Sequence, residues 1–148
     1  MKLKTIIAFT SVALFSVSAN AGNEMNCPSI ADISVENPQY LATTPEGQWL
    51  AIRRGGGPVK NFSQALYRPI EKLERGILVT CSYELEKGDI DMRFYKQGKK
   101  QEENLIVSIP TTNKPNWQEE SMALGEKFYE CVNQDPTNCK FTVLTTEK

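Results

Sequence analysis

Residues 76–95, GILVTCSYELEKGDIDMRFY, constrain the fold more than any other stretch. Ile77, Val79, Cys81, Tyr83 and Leu85 fall on one face and Thr80, Ser82, Glu84 and Glu86 mainly on the other, a period of two that specifies a half-buried strand. Beyond Lys87-Gly88 the alternation resumes with Ile90, Met92 and Phe94 against Asp91 and Arg93. A reversal at Lys87-Gly88 sets Leu85 opposite Ile90, Tyr83 opposite Met92 and Cys81 opposite Phe94, so that both strands bury one common face. The chain is therefore expected to pack around a central hairpin, with Cys81 on its inner side.

The first 21 residues read as a secretory leader: Lys2 and Lys4, an apolar run over 6–17, and an Ala19-Asn20-Ala21 cleavage site. The run is shorter than the ~20 residues a membrane span needs. Cleavage leaves residues 22–148 as one exported domain, with no further transmembrane span. Without Lys2 and Lys4 the 17 basic residues fall to 15 against 18 acidic ones, which argues against a nucleic-acid partner. The chain has no histidine, so imidazole general bases are excluded and most catalytic zinc sites are disfavoured.

Four cysteines in a small exported domain read as two disulfides. Cys131 and Cys139 bracket the turn-rich septet VNQDPTN and are paired locally, which joins Cys27 to Cys81 by exclusion. A structural metal site is the rival, disfavoured by the absence of CxxC spacing and of histidine.

Along the rest of the chain, residues 29–35 suggest a short strand or a helical turn, broken at Asn37-Pro38. Segments 39–43 and 48–53 flank the turn Thr44-Pro45-Glu46-Gly47 and form a second hairpin. Segment 62–68 fits either period and is read as a strand; 97–103 is a charged link, 104–110 a strand and 113–115 a loop. A helix is expected from Asn116, because Asn116 and Glu119 resemble a capping box and Trp117, Leu124, Phe128 and Cys131 recur at helical spacing. Residues 140–145 make a last strand. The expected class is α+β: a mostly antiparallel sheet of about five to seven strands with one C-terminal helix packed on it.

The most unusual local composition is Arg53-Arg54-Gly55-Gly56-Gly57-Pro58. It can be a flexible loop offering two guanidinium groups to an anionic ligand or partner, or a floppy hairpin tip without a role, which is the default. It lacks the strand-to-helix context and the Lys-Ser/Thr of a phosphate loop. Trp49, just before it, is either part of a surface patch or, as is commoner for tryptophan in a small β-rich domain, core. Glu84, Glu86, Asp89 and Asp91 cluster at the tip of the central hairpin and read as a solvated acidic end rather than an acid–base pair. Nothing supports nucleophilic or redox catalysis, and neither cofactor nor metal is expected.

The Cys27-Pro28-Ser29-Ile30 start, Glu46-Gly47-Gln48-Trp49, the Phe62-x-x-Ala65 run, Cys81-x-Tyr83 and the closing Cys131 to Cys139-Lys140-Phe141 resemble the EirA group of small exported proteins from intracellular gammaproteobacteria. That resemblance implies a periplasmic protein supporting a Dot/Icm-like type IV secretion system or intracellular growth, without enzymatic activity, and supplies no catalytic residues. Two functions are expected, the first from absent catalytic chemistry together with this resemblance and the second from a small disulfide-tied β domain offering a rigid loop such as Arg53 to Pro58. One is a non-enzymatic accessory protein that binds an envelope or secretion-system protein, for instance through a sheet edge. The other is a periplasmic or fully secreted inhibitor of a hydrolase such as lysozyme or a protease.

Overall fold

The computed structural model describes residues 24–70, 75–96, 104–110, 116–121 and 125–145. The leader at 1–21, the link at 97–103 and the loop at 113–115 lie outside the described residues. Eleven strands are found among the described residues: β1 (Glu24–Met25), β2 (Ser34–Glu36), β3 (Gln39–Thr43), β4 (Gly47–Ile52), β5 (Val59–Pro69), β6 (Gly76–Leu85), β7 (Asp89–Lys96), β8 (Leu105–Ser108), β9 (Trp117–Ser121), β10 (Lys127–Val132) and β11 (Phe141–Thr145). All pair antiparallel, and the sheet curls into an open half-barrel. The class is all-β, not α+β, and the strands outnumber the expected five to seven.

The expected C-terminal helix is instead the hairpin β9–β10, with Trp117 opposite Cys131 and Glu119 opposite Tyr129. Tertiary pairing overrode local propensity: β10 lies between β9 and β5, with Tyr129 opposite Tyr67 and Cys131 opposite Ala65. Gly125 has a positive φ of 75° and lies between the two strands. Asn116, expected to cap the helix, donates through its side-chain amide to the carbonyl of Asn138, 2.9 Å away. Trp117 is buried as expected, but by a strand, and its indole donates to the Lys140 carbonyl at 3.0 Å.

β6 is the central strand. β5 runs along one of its edges from Gly76 to Leu85. The other edge is shared: β7 takes Cys81 to Glu84, and β8 takes Gly76 to Leu78. From this fork one arm runs β7–β4–β3–β2, and the other β8–β11–β1.

The β6–β7 hairpin forms, shifted by two residues from the expected register. Cys81 faces Met92, Tyr83 faces Ile90 and Glu84 faces Asp89, because the chain reverses one residue earlier, where the Leu85 N–H meets the Gly88 carbonyl. A shift of two keeps every side chain on its face. The alternation fails lower down. Leu66 pairs with Thr80 but Tyr67 pairs with Leu78, so Val79 is the extra residue of a β-bulge. Below the bulge Leu78 belongs to the core, and Ile77 and Val79 do not. Thr80 and Ser82, expected to face solvent, are buried; Ser82 donates to Asp91 Oδ1 at 2.6 Å.

The core joins residues from β3 to β8, β9, β10 and β11 in one cluster. Trp49 packs edge-on against Phe94 at 5.6 Å, Phe62 against Tyr83 at 5.4 Å, and Tyr67 against Trp117 and Tyr129 at 6.3 and 6.1 Å. Both disulfides form as expected, Cys27–Cys81 and Cys131–Cys139, and no cysteine is free. The first anchors the N-terminal segment to β6. The second ties β10 to the turn at Pro136–Asn138 that leads into β11. Strands at 39–43 and 62–68, the turn at 44–47 and the closing strand stand where the sequence put them, and 29–35 combines a helical turn (Ile30–Asp32) with β2.

Candidate functional site

Three places on this scaffold have the exposure or the chemistry to engage another molecule. The first is the glycine loop. It is a crossover from β4 to β5 rather than a hairpin tip, since those two strands do not pair. It is not floppy either. The Tyr40 hydroxyl donates to the Gly57 carbonyl at 2.6 Å, the Glu86 N–H to Pro58 at 3.0 Å and the Lys87 N–H to Gly56 at 2.9 Å. Arg53 Nη1 donates to the Asp89 carbonyl at 3.0 Å. Gly56 is buried, because a Cβ there would stand 2.4 Å from Leu85 Cδ1 and 2.8 Å from Tyr40 Oη. Arg54 and Gly55 are exposed, Gly55 at a φ of 70° with open space around its α-carbon. One guanidinium is thus spent fastening the loop and the other is presented. Trp49 takes no part, being fully buried. Glu84, Glu86, Asp89 and Asp91 are exposed beneath the loop as the alternation required.

The second place is the rim. Among the described residues β9 pairs only with β10, and four of its five residues are exposed. β2 is likewise an edge, but only three residues long. An unpaired edge presents a row of backbone donors and acceptors that another strand can join.

The third place is the fork. Between the last β8 partner, Leu78, and the first β7 partner, Cys81, residues Val79 and Thr80 have no ladder partner on that edge of β6 among the described residues. A cavity of about 270 Å³ opens there, lined by Arg68, Ile77, Val79, Arg93, Asn104 and Phe128, with Leu78 and Phe94 behind. Ile77 and Phe128 are buried yet stand apart from the main core, which places them on the outer side of the sheet. Sequence reasoning missed this place. Arg93 was assigned to the outer face by its alternation, but no local pattern announces the bulge or the divergence of β7 from β8.

A family model for proteins of unknown function, DUF3757, matches residues 20–142, which includes all four disulfide cysteines and most of the sheet. The chain belongs to the DUF3757 family. No curated protein and no solved structure matches it. In this DUF3757 protein the disulfides fit an extracellular or periplasmic environment. Among the described residues no helix is long and apolar enough to cross a membrane.

The electrostatics of the DUF3757 core concern tyrosines. Burial, with Tyr129 nearby, pushes the Tyr67 phenol up to about 12, and burial pushes Tyr83 higher still, with Asp32 adding to it. On the rim, burial and the neighbouring Glu119 raise the Tyr129 phenol. At the turn before β11, hydrogen bonds from the Thr137 hydroxyl and N–H hold the Asp135 carboxyl below its ordinary value. These groups brace structure and do not converge on a reacting centre.

Proposed function

We propose that this protein is a non-enzymatic periplasmic accessory protein that binds an envelope or secretion-system component through the open edge of β9. The observation that carries this reading is the one-sided pairing of β9 together with the exposure of Gln118, Glu119, Glu120 and Ser121. An added strand would gain main-chain hydrogen bonds along that edge and side-chain selection from alternate positions. Two disulfides and an antiparallel sheet hold the edge in shape before binding, which lowers the entropy lost on association. The leader sequence and the resemblance to the EirA group favour the periplasm and a type IV secretion system as the setting. The absence of histidine and the engagement of all thiols in disulfides favour recognition over catalysis.

A photo-crosslinking residue placed at Gln118 or Glu120 in the periplasm should capture a discrete envelope protein, whereas the same residue at exposed Lys60 on β5 should not. Capture at neither edge position, or equally at Lys60, refutes the assignment.

We also propose a second function, inhibition of a hydrolase, which the glycine loop favours. Four hydrogen bonds hold the loop and leave Arg54 projecting, a pre-ordered shape suited to insertion into an active-site cleft. Lysozyme and trypsin-like protease assays at micromolar protein decide it. Unaltered rates for both classes remove it.

A further inference from the structure

We propose that Arg54 is the plug of an inhibitory loop whose target is a glycosidase of the lysozyme type, its guanidinium seated between the two carboxyl groups that cut the glycan. This inference rests on the inhibitor reading of the glycine loop and narrows its target from two hydrolase classes to one.

Three features make the choice. The first is the profile of the loop. Arg53 is folded back, its Nη1 donating to the Asp89 carbonyl at 3.0 Å and its guanidinium lying where a Cβ on Gly88 would stand. Gly56 is buried, and the carbonyls of Gly56, Gly57 and Pro58 are held by Lys87, Tyr40 and Glu86. Arg54 is exposed and is followed by three residues without side chains. No partner for its guanidinium is found among the described residues. One long side chain can therefore enter a narrow cleft with little beside it, on a backbone already ordered.

The second is the backbone. A loop that inhibits a protease as a substrate mimic lies extended on both sides of the bond it presents, and pairs with the cleft as a strand. Gly55, directly after Arg54, has a φ of 70°, and Gly57 one of 75°. Both are left-handed, not extended. A trypsin-like pocket suits the arginine side chain, but this backbone does not fit the groove on either side of it.

The third is charge. A retaining glycosidase holds its two carboxyl groups about 5–5.5 Å apart. A planar guanidinium with five donors can bond both, and meets carboxylate oxygens better than an ammonium does. Around the loop, Glu84, Glu86, Asp89 and Asp91 are exposed and outnumber Arg53 and Lys87. An enzyme that works on an anionic wall polymer gains from a basic rim, which this surround complements while Arg54 meets the acidic centre.

The test compares a retaining lysozyme, followed by clearing of a cell-wall suspension, with trypsin, followed on a chromogenic amide, each with the whole mature protein added. Lysozyme should be inhibited at micromolar protein, in competition with an N-acetylglucosamine oligosaccharide, and trypsin should not. Arg54→Gln should raise the inhibition constant about tenfold or more, the loss of one charged hydrogen-bonded contact. Arg54→Lys should recover part of that loss, and Lys60→Gln on β5 should change nothing. Arg54 is exposed, so its variants are expected to keep the urea midpoint of the parent. Inhibition of trypsin alone would overturn the glycosidase assignment and leave the inhibitor reading standing, whereas inhibition of neither enzyme would overturn both. Lysozyme inhibition that Arg54→Gln leaves intact, or that the oligosaccharide does not relieve, would overturn the role given to Arg54.

Discussion

The Tyr83 hydroxyl donates to the carbonyl of Pro28, a bond that spans 55 positions of sequence and lies beside the disulfide from Cys27 to Cys81. The N-terminal segment is thus fastened to β6 twice, covalently at Cys81 and by a buried hydrogen bond two residues on. Pro28 is buried, so its carbonyl has no ready access to water. Tyr83→Phe should cost about 1–3 kcal/mol, the desolvation penalty of an acceptor left without its donor. Urea denaturation with the disulfides intact measures it. A loss within error of zero would show that the carbonyl finds another partner.

The two buried phenols make stability fall at alkaline pH. Tyr67 is moved from 10.0 to about 12 by burial, so an unfolded chain releases this proton first as pH rises. The stabilisation is complete below about pH 10 and is lost progressively as pH climbs toward 12. Tyr83, shifted in the same direction, deepens the loss. Absorbance titration near 295 nm should show Tyr67 and Tyr83 ionising late among the five tyrosines, together with unfolding. Tyr67→Phe should flatten the fall in melting temperature over that window.

The disulfides should differ in what they contribute. Cys27–Cys81 closes a loop with a sequence separation of 54, and Cys131–Cys139 one of 8. Chain entropy then assigns ~4 kcal/mol to the long bridge and ~2.5 kcal/mol to the short one. Cys81→Ser should therefore lower the denaturation midpoint more than Cys139→Ser. Equal or milder loss would show that residual structure in the unfolded chain sets the balance.

Neighbouring glycines in the β4–β5 crossover should respond to alanine for different reasons. At Gly56 a methyl group meets Leu85 and Tyr40, and overpacking of this kind costs about 1–3 kcal/mol. At Gly55 the space is open and only the positive φ opposes the change, a cost of about 1 kcal/mol. Thermal melts of the two variants should rank Gly56→Ala as the less stable. The reverse order would mean that the Tyr40 and Leu85 contacts yield easily.

Local chemistry made much of this molecule readable. Period-two alternation located the central hairpin and its faces from Cys81 to Phe94, because a side chain's face depends only on its parity along the strand. The turn at 44–47, the exposed carboxylates at the hairpin tip and the cysteine pairing were legible for similarly local reasons. The glycine loop was only half legible: its composition marked it, but Tyr40 on β3 and Glu86 and Lys87 in the β6–β7 turn, which hold it, are distant in sequence.

Sequence alone thus determined that the upper hairpin forms, which of its residues point inward, and that thiols would be locked in pairs. Tertiary structure decided the rest. Trp117, Leu124, Phe128 and Cys131 recur at helical spacing, yet β9 and β10 pair as a hairpin because β5, more than 60 positions earlier at Tyr67 and Tyr129, offered a paired edge. The bulge at Val79 and the fork beside it arise where β7 and β8 meet the same edge of one strand. Such competition is a property of strands brought together from afar, and no window of neighbouring residues carries it.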